Sequence, residues 1–250
     1  MISEKNIAGE FKGFWNESLP LLIPSFVRVF NEASMDDLTE YAHSKMQRIP
    51  IGKDVEKHDL VAEFSFQIAK WTHDKSYGVE ILRQEPNCII EPYEKSIKFL
   101  QKYKNEEGKI VLNEDEITES IDLAEQYEYF LEHLGSDDIE FSPTIVGAGF
   151  LGRCKADLSV GDTLYEIKTV SRNISGKDIK QLLIYLALQY STGQRRWKKA
   201  GFYNPRKAQH YKFSVDHLIH KTSGGKATAE FFSDIVDFLS SRGVELDTAF

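Results

Sequence analysis

Between Lys155 and Thr169 the chain reads KADLSVGDTLYEIKT, two short runs of alternating apolar and polar residues around Gly161-Asp162. A glycine-led pair suits the two-residue turn of a β-hairpin, because glycine takes positive φ without steric cost. Such a turn dictates the register: Val160 opposite Thr163, Leu158 opposite Tyr165, and Asp157 opposite Glu166. Side chains alternate along a strand. Ala156, Leu158, Tyr165 and Ile167 therefore form one core-like face, and Lys155, Asp157, Glu166 and Lys168 form the other. Carboxylates facing each other about 5 Å apart repel by roughly 3 kcal/mol at an effective dielectric near 20. A cation between them removes that cost, so the hairpin is predicted to be half of a metal site.

The flanking segments predict an α/β core. Asn113 with Glu116 forms a capping-box pattern that opens a helix running to Leu134, with Gly135 as its stop. Ile117, Ile121, Ala124, Tyr127, Leu131 and Leu134 make its apolar stripe, and Glu128 falls inside that stripe. A strand is expected over Glu140–Val146, then the loop Gly147–Gly152 and the hairpin. Ser175 with Asp178 starts a second helix over Lys177–Tyr190. Strands over Lys199–Tyr203 and Gln209–Val215 follow, and a last helix spans Ala227–Ser241. Helix, three strands, helix and two strands build a mixed central sheet flanked by helices. Residues 1–112 read as mainly helical, with Leu60–Trp71 apolar on more than one face. The expected organisation is a helical recognition, regulatory or partner-binding region over 1–112, a core over 113–220 and a C-terminal helix over 221–250.

An aspartate at the end of one strand, Glu-x-Lys on the next (Glu166-Ile167-Lys168) and a glutamine, Gln181, on the following helix resemble the PD-(D/E)xK nuclease superfamily. The resemblance covers about residues 113 to 215, with Ala156 where the name-giving proline would stand. It implies a restriction-endonuclease-like core and hydrolysis of phosphodiester bonds with Mg²⁺ or Mn²⁺. Asp157 and Glu166 would be metal ligands, Lys168 the catalytic lysine and Gln181 the motif glutamine. Glu128 would be an additional acidic ligand on the preceding helix. Some relatives are restriction enzymes or phage-defence effectors, and an antiviral role working with a protein partner or a second copy is the corresponding expectation.

Charge distribution bears on the partner. The formal net charge is −8, yet residues 141–220 hold 13 Lys or Arg against 5 Asp or Glu, a local +8 that leaves −16 for the rest. Such asymmetry suits a polyanion-binding segment beside a different module. Arg153, Lys155, Lys177, Lys180, Arg195, Arg196, Lys198, Arg206 and Lys207 are the candidate phosphate contacts, with Trp197 placed to stack on a base. DNA is the expected substrate, with RNA open. No apolar run approaches the roughly 20 residues that span a bilayer, so no membrane partner is expected. MISEKNIAGEF lacks the pattern of a signal peptide. Two cysteines, Cys88 and Cys154, provide neither a disulfide framework nor a cysteine zinc site, which fits a cytoplasmic protein.

Two other readings compete. Gly147, Gly149 and Gly152 form a GxGxxG after a predicted strand, with Glu166 about 20 residues on where a ribose-binding acid would sit. That motif needs a crossover helix directly after the glycines, and the sequence there suits a strand better. A catalytically inactive nucleic-acid-binding version of the same fold is the other. Asp216, His217 and His220 resemble a small metal cluster but fit a surface turn as well.

Overall fold

Gly161 takes φ +54°, and the hairpin closes in the expected register, Val160 with Thr163 and Leu158 with Tyr165. The protein is described by a computed structural model over residues 3–104, 111–194 and 196–241. The first half runs α1 (Glu4–Glu10), α2 (Lys12–Ser18), α3 (Pro24–Ser34), β1 (Met35–Asp37), α4 (His58–Lys75), α5 (Ile81–Gln84) and α6 (Ile90–Lys104). Next come α7 (Glu114–Leu134), β2 (Ile139–Phe141), β3 (Thr144–Ile145), β4 (Cys154–Lys155), β5 (Leu158–Val160) and β6 (Thr163–Ile167). The chain continues through α8 (Gly176–Ser191), β7 (Lys199–Asn204), β8 (Gln209–Ser214), α9 (Val215–Thr222) and α10 (Thr228–Ser240).

The predicted capping box forms, and the predicted start of the second helix proves to be one too. Asn113 Oδ1 accepts from the Glu116 N–H (2.8 Å) while Glu116 Oε2 accepts from the Asn113 N–H (2.9 Å). Ser175 and Asp178 make the same reciprocal pair at the start of α8. Gly135 ends α7 in the left-handed region, φ +59°. The strand expected over Glu140–Val146 is divided into β2 and β3. Ser142 sits at φ +56° and Pro143 follows it, a combination that turns the chain out of an extended ladder.

The main sheet has six strands in the order β1-β8-β7-β6-β5-β2. Only β6 and β7 are parallel, joined by the crossover helix α8; the other neighbours are antiparallel. The sheet is buried on both faces. On one, Leu164, Ala200, Phe202 and Tyr211 pack with α8, α10 and the N-terminal helices α1 and α2. On the other, Leu158, Val160, Tyr165 and Tyr203 meet Tyr127 and Phe130 of α7, with the Phe130 and Tyr203 rings stacked 3.8 Å apart. Helices α4, α6 and α7 share a further apolar cluster away from the sheet.

Residues before 113 thus contribute to the same sheet and core as the predicted nuclease segment. Strand β1, unmarked in the sequence, pairs with β8 as an edge. Among the described residues no helix is long and apolar enough to cross a membrane.

Candidate active site

The hairpin does not continue as a regular ladder through Asp157. At this residue the chain bends: the Asp157 carbonyl accepts from the Ser142 N–H (2.8 Å), and the Ala156 N–H donates to the Pro143 carbonyl (3.2 Å). The Asp157 side chain takes over as acceptor on the hairpin side, its Oδ2 receiving the Ile167 N–H at 2.7 Å. The expected face sets shift accordingly. Ala156 joins the α8 cluster while Leu158 joins the α7 cluster. Lys155 leaves the site altogether, because it belongs to the separate β3–β4 ladder opposite Thr144.

Glu166 shares the α8 side of β6 with Leu164, as strand alternation requires. Its Oε1 accepts from Lys168 Nζ at 2.9 Å, and Lys168 also donates to Gln181 Oε1 at 3.1 Å. The ammonium lies 3.4 Å from Asp178 Oδ1. Gln181 Nε2 donates to the Tyr185 hydroxyl (3.0 Å), which donates to Glu4 Oε1 (3.0 Å). Asp157, Glu166, Lys168 and Gln181 are brought together as the sequence pattern predicts.

The electrostatics of this group are uneven. Burial, and then the neighbouring Glu166 charge, push Asp157 above the usual carboxylate range. Burial opposes the charge on Lys168, but Glu166, Asp178 and Asp157 outweigh it and hold its pKa above the ordinary lysine value. Burial of Asp178 is likewise outweighed by Arg172, Lys168 and Ser175, so this carboxyl stays well below the usual range. Glu166 is 3% exposed, and its Oε2 has no hydrogen-bond partner among the described residues. An orphaned buried carboxylate oxygen is costly. Here it lies beside a second carboxylate whose pKa is raised, the donor set that a hard oxygen-seeking cation such as Mg²⁺ takes up. The residues fit the ion.

Glu4 and Lys5, which the sequence pattern did not single out, adjoin the site, and Glu63 shares electrostatic neighbours with Asp157. Glu4 on α1 ends the hydrogen-bonded chain from Lys168. Lys5 beside it favours the charged forms of both Asp157 and Glu63. Glu63, on α4, accepts from Gln67 Nε2 at 2.7 Å and is pushed up to about 7 by burial. The charges of both Asp157 and Glu63 act on the buried Tyr127 hydroxyl. A carboxylate within the apolar run LVAEFSFQIAKW was the available signal, the same one that drew attention to Glu128 on the neighbouring helix. Glu128 is engaged with another element. Its Oε2 accepts from the Val79 N–H (2.9 Å) and holds the turn after α4.

Several predicted phosphate contacts have internal roles. Arg206 is 6% exposed and binds Glu119 of α7 (2.5 Å) and the Ile49 carbonyl (3.3 Å). Trp197 is buried, its Nε1 donating to Ser159 Oγ at 2.7 Å, and cannot stack on a base. Arg196 is paired with Glu140 (2.5 Å) and Asp138 (3.6 Å). Lys180 packs over the Trp15 ring at 5.5 Å. Lys207 reaches Asn173 Oδ1 at 3.3 Å. Arg153, Lys155, Lys177 and Lys198 are exposed; Arg195 lies outside the described residues.

The glycine motif is also structural. Gly149 has φ +55°, and a Cβ there would lie 1.7 Å from the Leu239 carbonyl oxygen of α10. The close approach is therefore to a helix end of the same chain. The glycines lead into β4 and β5, so the crossover helix of a dinucleotide site does not follow them. Asp216, His217 and His220 sit on α9 and line an open surface depression.

A mixed six-stranded α/β sheet carrying buried Glu166, Lys168 and Gln181 beside half-buried Asp157 defines the architecture and the site. No protein-family model matches the chain, and no curated protein matches it in sequence.

Proposed function

We propose that the protein is a metal-dependent nuclease that hydrolyses phosphodiester bonds in DNA. The observation that carries this reading is the unpartnered, buried Glu166 Oε2, set beside the raised Asp157 carboxyl and a lysine bound to the same glutamate. Asp157 and Glu166 would hold Mg²⁺, with Glu63 the further acid on the helical side. When bound, the ion supplies Lewis-acid stabilisation of phosphate charge and acidifies water.

The protein's own groups supply the rest. Lys168 is held protonated, so it serves as a fixed positive charge and hydrogen-bond donor to a phosphate oxygen as negative charge develops there. Gln181 fixes the lysine from below, and its bond to Tyr185 fixes the glutamine in turn. Asp178, kept ionised by Arg172 and Ser175, gives the Lys168 ammonium a second anionic partner besides Glu166. Exposed Arg153, Lys155, Lys177 and Lys198 are the cations left for the nucleic-acid backbone.

The test is incubation with supercoiled plasmid, linear duplex and single-stranded DNA in Mg²⁺, Mn²⁺ or EDTA, beside Lys168→Met. Thermal unfolding checks that the variant is folded. Metal-dependent cleavage lost in a folded variant is the expected result. Salt-sensitive binding without cleavage by the wild type in any metal would overturn the catalytic reading in favour of a binding module.

A further inference from the structure

A second group of ligating side chains lies on the opposite face of the sheet. Asp36 of β1 and His210 of β8 are direct partners in the antiparallel ladder. His133, in the last turn of α7, reaches the same point. One ligand atom from each of the three lies within 4.8 Å of the others. Tyr165, next to Glu166 on β6, points to this side, so strand alternation puts the sheet between the two sites.

His210 is the informative member. It is 6% exposed. Its Nε2 contacts the Tyr165 hydroxyl at 3.2 Å, while its Nδ1 has no hydrogen-bond partner among the described residues. One ring nitrogen anchored by a polar group and the other left free is the usual state of a metal-ligating histidine, whose anchor fixes tautomer and ring orientation. Asp36 is similarly held, its Oδ2 accepting from the Tyr41 hydroxyl at 2.6 Å. The Tyr41 ring meets the His133 imidazole edge-on, with centroids 5.0 Å apart.

We propose that Asp36, His133 and His210 bind a divalent first-row transition ion of the Zn²⁺ class, separate from the cation of the Asp157–Glu166 site. Two imidazoles with one carboxylate suit Zn²⁺ and its neighbours, whereas Mg²⁺ takes oxygen ligands almost alone. Ligand bonds of about 2.1 Å in a tetrahedron put neighbouring donors roughly 3.4 Å apart. Rotation of His133, the exposed member, closes the remaining gap. Because His133 is exposed, a water can complete the tetrahedron. The ion ties the three-residue edge strand β1 to β8 and α7, elements joined otherwise by one ladder and side-chain packing.

The test uses the full chain, stripped with EDTA and titrated with Zn²⁺ by calorimetry and with Co²⁺ by visible absorption. Wild type should take up Zn²⁺ with a rise in melting temperature and give the intense Co²⁺ bands of a nitrogen-ligated four-coordinate ion. His133→Ala removes an exposed side chain, so folding is preserved; it should weaken Zn²⁺ at least about tenfold, as should Asp36→Asn. Asp157→Asn should leave Zn²⁺ binding unchanged, and excess Mg²⁺ should not compete. Absence of Zn²⁺ uptake, or uptake insensitive to both His133→Ala and Asp36→Asn, overturns the proposal. Uptake abolished by Asp157→Asn alone overturns it too, by placing the ion on the other face.

Discussion

Replacing Asp157 with asparagine should stabilise the metal-free protein while destroying its response to Mg²⁺. Asp157 sits in the bend just before Leu158, where the Glu166 charge acts directly on its carboxyl. Two charges about 5 Å apart at an effective dielectric near 20 repel by roughly 3 kcal/mol. Lys168 offsets part of this, and an asparagine carbonyl can still accept the Ile167 N–H. The expected gain is therefore about 1–3 kcal/mol, or roughly 2–10 °C in melting temperature for a chain of this size. The sign depends on pH. Because the folded-state pKa of Asp157 is raised above its ordinary 3.8, the folded protein binds the extra proton, and stability falls as pH rises from the ordinary value through the raised one. In EDTA the variant should therefore exceed wild type most at about pH 9 and by less at about pH 5. With Mg²⁺ at a hundred times its dissociation constant, wild type should gain about 2.7 kcal/mol and the variant little. Circular-dichroism melts at both pH values, with EDTA and with Mg²⁺, measure all four quantities. A variant less stable than wild type at about pH 9 in EDTA would refute the idea that the acids are held together against their repulsion for a cation.

Three further outcomes test the assignments around the site. Arg206→Ala leaves Glu119 charged and buried and should cost about 3–5 kcal/mol, with part recovered by adding Glu119→Gln; urea unfolding of the single and double variants decides this. Trp197→Ala should cost about 3–5 kcal/mol through its cavity and the lost Ser159 bond, whereas Lys198→Ala should change stability by under about 0.5 kcal/mol. The same Lys198→Ala should lower the salt slope of DNA binding by about one. Burial pushes Glu63 up to about 7, so Glu63→Gln should stabilise the metal-free protein above that pH and slow metal-dependent cleavage at least about tenfold. Glu128→Gln should leave cleavage at the wild-type rate, and a plasmid assay giving the reverse order would remove Glu63 from the site.

What the sequence reveals about this protein follows the range of the interactions involved. The capping boxes at Asn113–Glu116 and Ser175–Asp178 each close within four residues, and both are legible. So is the hairpin, whose register depends on Gly161 alone and which brings Asp157 near Glu166. The irregularity at Asp157 was not legible, because its cause is the distant contact with Ser142 and Pro143 rather than any local propensity. Strand β1 was hidden for a related reason. Three residues, Met35–Asp37, are too few to show alternation, and their partner Gln209–Tyr211 lies more than 170 positions away.

The misplaced cations show why linear charge is a poor guide to a binding surface. Arg206 and Trp197 fall inside the most basic segment of the chain, yet each is buried by a partner from another element, Glu119 and Ser159 respectively. A buried arginine is tolerable only if a carboxylate from elsewhere meets it, and nothing in the residues around Arg206 specifies that partner. The same argument separates Glu128 from Glu63. Both are carboxylates on apolar helical stripes, and both must be satisfied. Glu128 finds the Val79 N–H beside it in the fold, while Glu63 accepts from Gln67 and feels the charge of Lys5. An acid whose pKa is raised by burial, as that of Glu63 is, has more to gain from a cation than one already held by a backbone N–H.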